Sequence, residues 1–121
     1  MQFAEAVDRH LAAVTGRDLA GYQATLHPDV SLIMLDGRLL TGRDAVLDLH
    51  RAWFGDPDWS WSLTPLWSTV AGDTGVAVFA VEYRDLDADG RPYELAYSLG
   101  LTFVRVDAAW LLLHDQNTRT S

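Results

Sequence analysis

Residues 107–118 read DAAWLLLHDQNT, and this string predicts a tight turn followed by the last strand of a β-sheet. Residues 107–109 are the small and polar residues of a turn, and Trp110–Thr118 has the composition of a strand. The strand opens with four apolar residues that do not alternate with polar ones, Trp110–Leu113. Such a run is typical of a strand that is covered on both faces.

Three further strands precede this one. Tyr93–Val106 and Val76–Leu86 are long β runs, joined by an Asp-Ala-Asp-Gly turn at residues 87–90. A second turn is predicted at residues 73–75. Before it, from Trp59 to Thr64, large apolar residues alternate with Ser and Thr, the period of a strand. The second half of the chain is therefore predicted to be a four-stranded antiparallel meander.

The first half is predicted to hold three helices and a small hairpin. Helical spacing relates Phe3, Val7, His10, Leu11 and Val14 in the first helix, which Gly16 ends. A second helix begins at an Asp18 cap and has Leu19, Tyr22 and Leu26 on one face, and Pro28 stops it. The hairpin pairs Val30–Leu35 with Arg38–Leu40 across Asp36-Gly37. A capping box from Thr41 to Asp44 opens the third helix, which carries Val46, His50, Trp53 and Phe54 on one side.

This order predicts a single α+β domain over residues 1–121, with the helices packed on one face of the sheet. Val76–Val81 and the start of the last strand lack alternation, so the other face also needs a cover. We expect a homodimer through that outer face. Loops or the chain ends are the alternative cover.

The composition excludes several classes of function. Nine basic and 17 acidic residues give a net charge of -8, which disfavours nucleic acid and anionic membranes as partners. There is no cysteine, so thiol chemistry and disulfides are absent. Charged residues lie among the apolar residues of the N-terminus, so the apolar core of a signal peptide is not expected there. No apolar run is long enough to span a membrane. We expect a cytoplasmic protein.

The layout and several strings resemble the SnoaL-like branch of the nuclear-transport-factor-2-like (NTF2-like) superfamily. The closing strand is similar to the family's pattern of Trp, an aliphatic residue, His, a second His and a hydroxyl residue at alternate positions. Gln116 stands here in place of the second His and Thr118 is the hydroxyl residue. Residues 26–30 and 40–45 resemble the passages into the family's first strand and third helix. The resemblance implies a cone-shaped fold in which a curved antiparallel sheet and the N-terminal helices enclose an apolar pocket.

Two relatives allow comparison by position. The ketosteroid-isomerase type has an acidic base where this chain has Met34, and a helix hydroxyl near His10. Methionine accepts no proton, and Asp36, two residues on, is expected to point to solvent. In the association domain of calcium/calmodulin-dependent protein kinase, residues 49–54 and 89–92 have similar strings. Its anion-binding arginines fall at Val81, Leu101 and Asn117, so a neutral, hydrophobic small molecule is the expected ligand.

The candidate site follows from this register. The expected catalytic residues are His50, His114 and His10, because imidazole titrates near neutrality and serves as a general acid or base. The expected substrate-binding residues lie on the helices and on inward-facing strand positions: Tyr22, Trp53, Phe79, Val81, Tyr83, Tyr97, Leu99, Leu101, Leu112 and Gln116. No metal spacing and no cofactor motif are found, so no cofactor is expected.

Three functions fit these residues. The preferred hypothesis is a cofactor-free isomerase, cyclase or dehydratase that uses acid–base chemistry. The first alternative is a binding module that leaves its ligand unchanged. The presence of Met34 where the ketosteroid-isomerase type has its acidic base favours this alternative. The second is a dimerisation unit whose pocket is leftover volume, and in it the aromatic and imidazole side chains serve as core.

Overall fold

A computed structural model describes residues 1–121 and contains three helices and six strands. The first half of the chain forms α1 (Phe3–Thr15), α2 (Leu19–Gln23), β1 (Leu26–Ile33), β2 (Leu39–Thr41) and α3 (Arg43–Phe54). The second half forms β3 (Ser60–Ala71), β4 (Thr74–Leu86), β5 (Pro92–Val106) and β6 (Ala109–Arg119). None of the three helices combines the length and hydropathy needed to cross a lipid bilayer.

One curved sheet holds all six strands in the order β2-β1-β6-β5-β4-β3. The four C-terminal strands form the predicted antiparallel meander. The hairpin of β1 and β2 extends the sheet, because β1 pairs with β6 in parallel. The α+β class and the curved sheet are thus confirmed. The single parallel pair makes the sheet mixed rather than wholly antiparallel.

The core lies between the helices and the inner face of the sheet. Leu101, Phe103 and Leu112 are completely buried there. Phe3 closes one end of this layer, with its ring edge-on to Phe103 at 5.7 Å and to Trp110 at 5.3 Å between centroids. Aromatic pairs in this arrangement add to the free energy gained by burial alone.

The two predicted helix starts have different outcomes. Asp18 caps α2 as predicted, and its carboxylate accepts a hydrogen bond from the Gly21 N–H at 3.0 Å. The capping box at Thr41 is wrong, because Gly42 occupies the N-cap of α3 and no side chain bonds there. Gly42 has a φ of 89°, and its N–H donates a hydrogen bond to the Val30 carbonyl at 2.8 Å. Thr41 instead pairs with β1 as the last residue of β2.

The turn between β3 and β4 lies earlier than predicted. Gly72 and Asp73 form it, with a φ of 58° at Gly72, and Gly75 already belongs to β4. A Cβ on Gly75 would collide with the Phe3 ring. Glycine at this position therefore reflects close packing rather than a turn.

Strand β6 contains one residue too many for its partner β5. Leu112 pairs with Phe103 and His114 pairs with Thr102, so Leu113 has no partner of its own. This is a β-bulge, which changes the face on which the following side chains lie relative to regular alternation. It decides which polar residues of β6 enter the interior.

Candidate functional site

A cavity of about 380 Å³ lies between the helices and the inner face of the sheet. Of its 18 lining residues 13 are hydrophobic, and none is Lys or Arg. This volume and this mainly apolar lining are typical of a site for a small organic molecule. An anion would find no cationic partner there.

Six of the predicted site residues line the cavity. They are two histidines, three aromatic residues and one leucine: His10, His50, Trp53, Tyr83, Tyr97 and Leu99. Met34 and Asp36 also line it. Asp36 lies at the rim, more than half exposed, and forms an ion pair with Arg38 at 2.9 Å. The carboxylate expected to face solvent is therefore at the edge of the cavity rather than inside it.

Seven of the predicted site residues do not line the cavity. Five are packed in the core as ordinary filling side chains: Tyr22, Phe79, Val81, Leu101 and Leu112. The other two, His114 and Gln116, lie on the outer face of the sheet. Their register partners Thr102 and Gly100 alternate with the buried residues of β5, so these positions face away from the helices.

The bulge at Leu113 explains the misplacement of His114 and Gln116. Regular alternation from Leu112 puts both residues inside, but the extra residue puts them outside. On the outer face, His114 Nδ1 accepts a hydrogen bond from the Ser31 hydroxyl at 2.8 Å, and Nε2 donates to Gln116 Oε1 at 3.3 Å. The prediction that His114 enters the pocket is therefore wrong.

Asp115 takes the inward position that His114 was expected to hold. It lines the cavity and is only 6% exposed. Asn117, the next inward residue, donates a hydrogen bond from Nδ2 to Asp115 Oδ1 at 2.8 Å. Burial raises the pKa of Asp115 to about 7, although the Asn117 hydrogen bond acts in the opposite direction. The carboxyl group is therefore divided between its two protonation states near neutral pH.

Sequence reasoning missed Asp115 as a site residue. The available signal was the unbroken apolar run Trp110–Leu113, because a strand without alternation leaves the faces of the following residues undetermined. Asp115, two residues after this run, was therefore as able to face inward as His114 or Gln116. The pairing of β6 with β5 was needed to decide it.

His10 is held in one tautomer by its neighbours. The Thr25 hydroxyl donates its proton to the Tyr22 carbonyl at 2.6 Å. His10 Nδ1 lies 2.8 Å from the same Thr25 oxygen and must therefore be the donor in that contact. Burial, followed by the nearby His50, lowers the pKa of His10 to about 3. The neutral ring consequently has no proton on Nε2.

His50 has the same tautomer for a different reason. Its Nδ1 lies 2.8 Å from the Val46 carbonyl oxygen one helical turn earlier, and a carbonyl only accepts. Burial lowers the pKa of His50 to about 4, opposed by this hydrogen bond. The ring stacks on Tyr22 with 4.1 Å between centroids. His50 therefore also presents a bare Nε2.

The Tyr22 hydroxyl is fully buried and has no hydrogen-bond partner. Burial and the nearby Asp115 raise the pKa of Tyr22 well above its usual value, and the same two causes raise that of Tyr97. Both phenols are therefore neutral at physiological pH. Each adds a hydroxyl dipole near the Asp115 carboxyl group.

Aromatic side chains form the opposite part of the cavity wall. The Trp53 indole N–H donates to the Tyr83 hydroxyl at 3.0 Å, which in turn donates to Asp85 at 2.8 Å. Trp59 stacks on Trp53 at 4.3 Å, and the Arg17 guanidinium lies over the Trp59 ring at 4.1 Å. This network fixes the Trp53 and Tyr83 rings and uses their polar hydrogens within the protein.

Comparison with solved structures supports the architecture. A candidate dehydratase of the NTF2-like family from Streptomyces avermitilis has a TM-score of 0.85 at 17% identity, covering 98% of this chain and 94% of that one. A candidate calcium/calmodulin-dependent protein kinase type II association domain from Thiobacillus denitrificans gives 0.82 at 19%, covering 99% and 96%. The association domain of C. elegans CaMKII gives 0.72 at 15%, covering 94% and 90%. At these identities the similarity shows the fold alone.

The sequence comparison is more specific to a family. No curated protein matches the chain. The model of the SnoaL-like domain matches residues 7–109, which is most of the chain. The solved structures that share this fold are named in different ways, one as a candidate dehydratase and others as association domains. The chain belongs to the SnoaL-like domain family.

Proposed function

We propose that this protein is a cofactor-independent enzyme that transfers a proton on a small hydrophobic substrate, as an isomerase, cyclase or dehydratase does. The observation that carries the proposal is Asp115, a carboxyl group enclosed in an apolar cavity with its pKa raised to about 7. A group that is half protonated at the working pH is the most effective general acid or base. Burial of this kind is a common means of tuning catalytic carboxyl groups.

The proposal assigns proton transfer to Asp115 rather than to the histidines. His114 lies outside the cavity, and the pKa values of His10 and His50 near 3 and 4 make them weak bases. Ionised Asp115 removes a proton from the substrate and returns it to another atom when protonated. The apolar wall excludes water from the reacting group, which strengthens each electrostatic interaction inside.

The test uses a panel of hydrophobic ketones, lactones and hydroxyketones, incubated in D2O and followed by NMR for deuterium uptake and for product. Wild type should process at least one compound that it binds, and Asp115→Asn should slow that reaction by about 100-fold or more. Asp36→Asn is the matched control, because it removes a carboxylate at the exposed rim. Its rate should stay within about threefold of wild type.

Two outcomes decide between this proposal and a binding module. Full activity in Asp115→Asn would remove the carboxyl group from the mechanism. Compounds that bind but show neither exchange nor turnover would favour the non-catalytic alternative, which the relatives named as association domains also represent.

We propose further that two copies associate through the outer face of the sheet. Residues that pair across neighbouring strands form rows on this face. One row contains Trp67, which is 57% exposed, and its partner Val78. The next row contains Thr69, Val76, Thr102 and His114. Neither row contains Asp, Glu, Lys or Arg, as suits a face that packs against a copy of itself. A structural neighbour is named the hub of a kinase from S. rosetta.

Sedimentation velocity tests this association. Wild type should sediment as a dimer at micromolar concentration, and Trp67→Glu should be a monomer with an unchanged circular dichroism spectrum, because each interface would bury two added charges. Ala4→Glu, at an exposed position of α1 on the other side of the sheet, is the control and should remain a dimer. A wild-type monomer across the concentration range would contradict the proposal.

A further inference from the structure

Few polar groups in the cavity remain free of hydrogen bonds within the protein, and the two at its imidazole end are acceptors. The two Asn117 amide protons are used by the Ile33 carbonyl at 2.9 Å and by Asp115. The Trp61 indole N–H donates to Thr15 at 3.0 Å, and the Trp53 and Tyr83 protons are used in the network with Asp85. What remains includes the bare Nε2 of His10 and of His50, the second oxygen of Asp115, and the Tyr97 hydroxyl, which can donate as well as accept.

These two nitrogens are open to the cavity. Both rings line it, and neither Nε2 makes a hydrogen bond within the protein. The Tyr22 hydroxyl is the one unpaired side-chain nitrogen or oxygen that is fully enclosed by protein atoms. Nε2 of His10 and Nε2 of His50 are also unpaired but are not fully enclosed, so a molecule bound in the cavity can reach them.

The tautomers fix what such a molecule must offer. Nδ1 of each ring is committed as a donor, to Thr25 in one case and to Val46 in the other. The nitrogen that faces the cavity is then an acceptor, and it is satisfied only by a group that carries a proton. The oxygen of a ketone, ether or carboxylate is itself an acceptor, so it forms no hydrogen bond with Nε2 and both acceptors stay unsatisfied.

We infer that the imidazole end of the cavity binds the hydroxyl group of an otherwise apolar alcohol, which donates its proton to Nε2 of His10 or His50. This inference rests on the proposed function in that it names the substrate class of the same cavity. A neutral hydroxyl group is preferred to an ammonium group, because moving a full charge into a mainly apolar cavity has a large desolvation cost. The binding leaves Asp115 free to exchange a proton with a neighbouring atom of the ligand.

A matched series of four ligands tests the inference by calorimetry at pH 7: 3-phenylpropan-1-ol, its methyl ether, 3-phenylpropylamine and 3-phenylpropanoate. The ether keeps the apolar body and the oxygen lone pairs and has a methyl group in place of the donated proton. The alcohol should bind about three- to tenfold more tightly than the ether, the range of one net hydrogen bond. The carboxylate should bind most weakly. Equal affinity of alcohol and ether, or tighter binding of the amine or the carboxylate, would overturn the inference.

Histidine variants locate the acceptor. His10→Phe leaves the Thr25 hydroxyl donating to the Tyr22 carbonyl, so it orphans no buried donor. In the His10→Phe, His50→Phe double variant the alcohol should no longer bind more tightly than the ether. His114→Phe is the matched control, because it removes an imidazole from the outer face, and it should keep the preference. A preference that survives the double variant would overturn the inference.

One measurement needs no variant. In ¹⁵N NMR spectra of the wild-type protein, Nε2 of His10 and His50 should appear as unprotonated nitrogens and should shift on addition of the alcohol but not of the ether. Protonated Nε2 signals in the free protein would contradict the assigned tautomers. These are binding measurements, so the inference can fail while Asp115-dependent turnover persists, and turnover can be absent while the alcohol preference is found.

Discussion

A buried imidazole and a buried carboxyl group respond to pH in opposite ways, and this protein has both beside one cavity. His10 has its pKa lowered from 6.5 to about 3, so between these values the unfolded chain binds a proton that the folded protein excludes. The free energy of unfolding therefore falls as the pH decreases through this window. Asp115 has its pKa raised from 3.8 to about 7, so its contribution is present below pH 3.8 and is lost as the pH rises through about 7.

We predict that His10→Phe is less sensitive to acid than wild type. The difference in free energy of unfolding between variant and wild type should move in favour of the variant as the pH falls from 7 to 4. The reason is that the unfolded variant has no residue-10 imidazole to protonate. The Thr25 hydroxyl and Tyr22 beside the His10 ring are neutral in this window, and His50, with a pKa of about 4, becomes protonated only at its lower end. Urea unfolding at several pH values measures the difference.

Asp115→Asn supplies the comparison of opposite sign. Asparagine keeps an oxygen that accepts from Asn117, and it removes the cost of ionising a buried carboxyl group. Its stability relative to wild type should therefore increase between pH 5 and pH 8. The neighbouring Tyr22 and Tyr97 hydroxyls stay neutral over this range. If the stability difference from wild type did not change with pH for one of these variants, the shifted pKa of the group it replaces would be contradicted.

Individual elements show where sequence patterns succeed and where they fail. The strands of the meander and the Asp18 cap were predictable, because alternation and capping are local properties of the chain. Which residues of β6 face inward was not predictable, because the extra residue at Leu113 is revealed only by the pairing of β6 with β5. The N-cap at Gly42 and the strand position of Gly75 likewise depend on distant partners, the Val30 carbonyl and the Phe3 ring.

The contact between α1 and β4 gives a prediction at this scale. Gly75→Ala should destabilise the protein by about 1–3 kcal/mol, because the added methyl group overlaps the Phe3 ring, which must move from its contacts with Phe103 and Trp110. Gly100→Ala is the control on the neighbouring strand. A Cβ there lies 3.7 Å from its nearest neighbour, in Gln116, which is ordinary contact. Urea unfolding should show a lower midpoint for Gly75→Ala only.

A midpoint for Gly75→Ala equal to that of wild type would mean that Phe3 does not cover this strand. A loss of the same size in Gly100→Ala would mean that alanine is unfavourable in this sheet for a general reason. Either result would remove the packing of Phe3 as the explanation for glycine at position 75.

For the whole molecule, the order of elements predicted the architecture but not the contents of the cavity. Helices followed by a meander implied one sheet with helices on a single face, and the family string in β6 implied the curved form. The cavity depends on how far α1 and α3 stand from the sheet, to which β1 contributes Leu32 through its parallel pairing with β6. Residues such as Val81 and Leu101 face the right side and nevertheless serve as core.

The central claim is that Asp115 is an enclosed carboxyl group poised near neutral pH, and a direct titration tests it. In a ¹³C-labelled sample, the Asp115 carboxyl resonance, assigned by its absence in Asp115→Asn, should titrate with a pKa of about 7. A pKa near the ordinary value of 3.8 would show a solvated carboxylate and would contradict the account of the site.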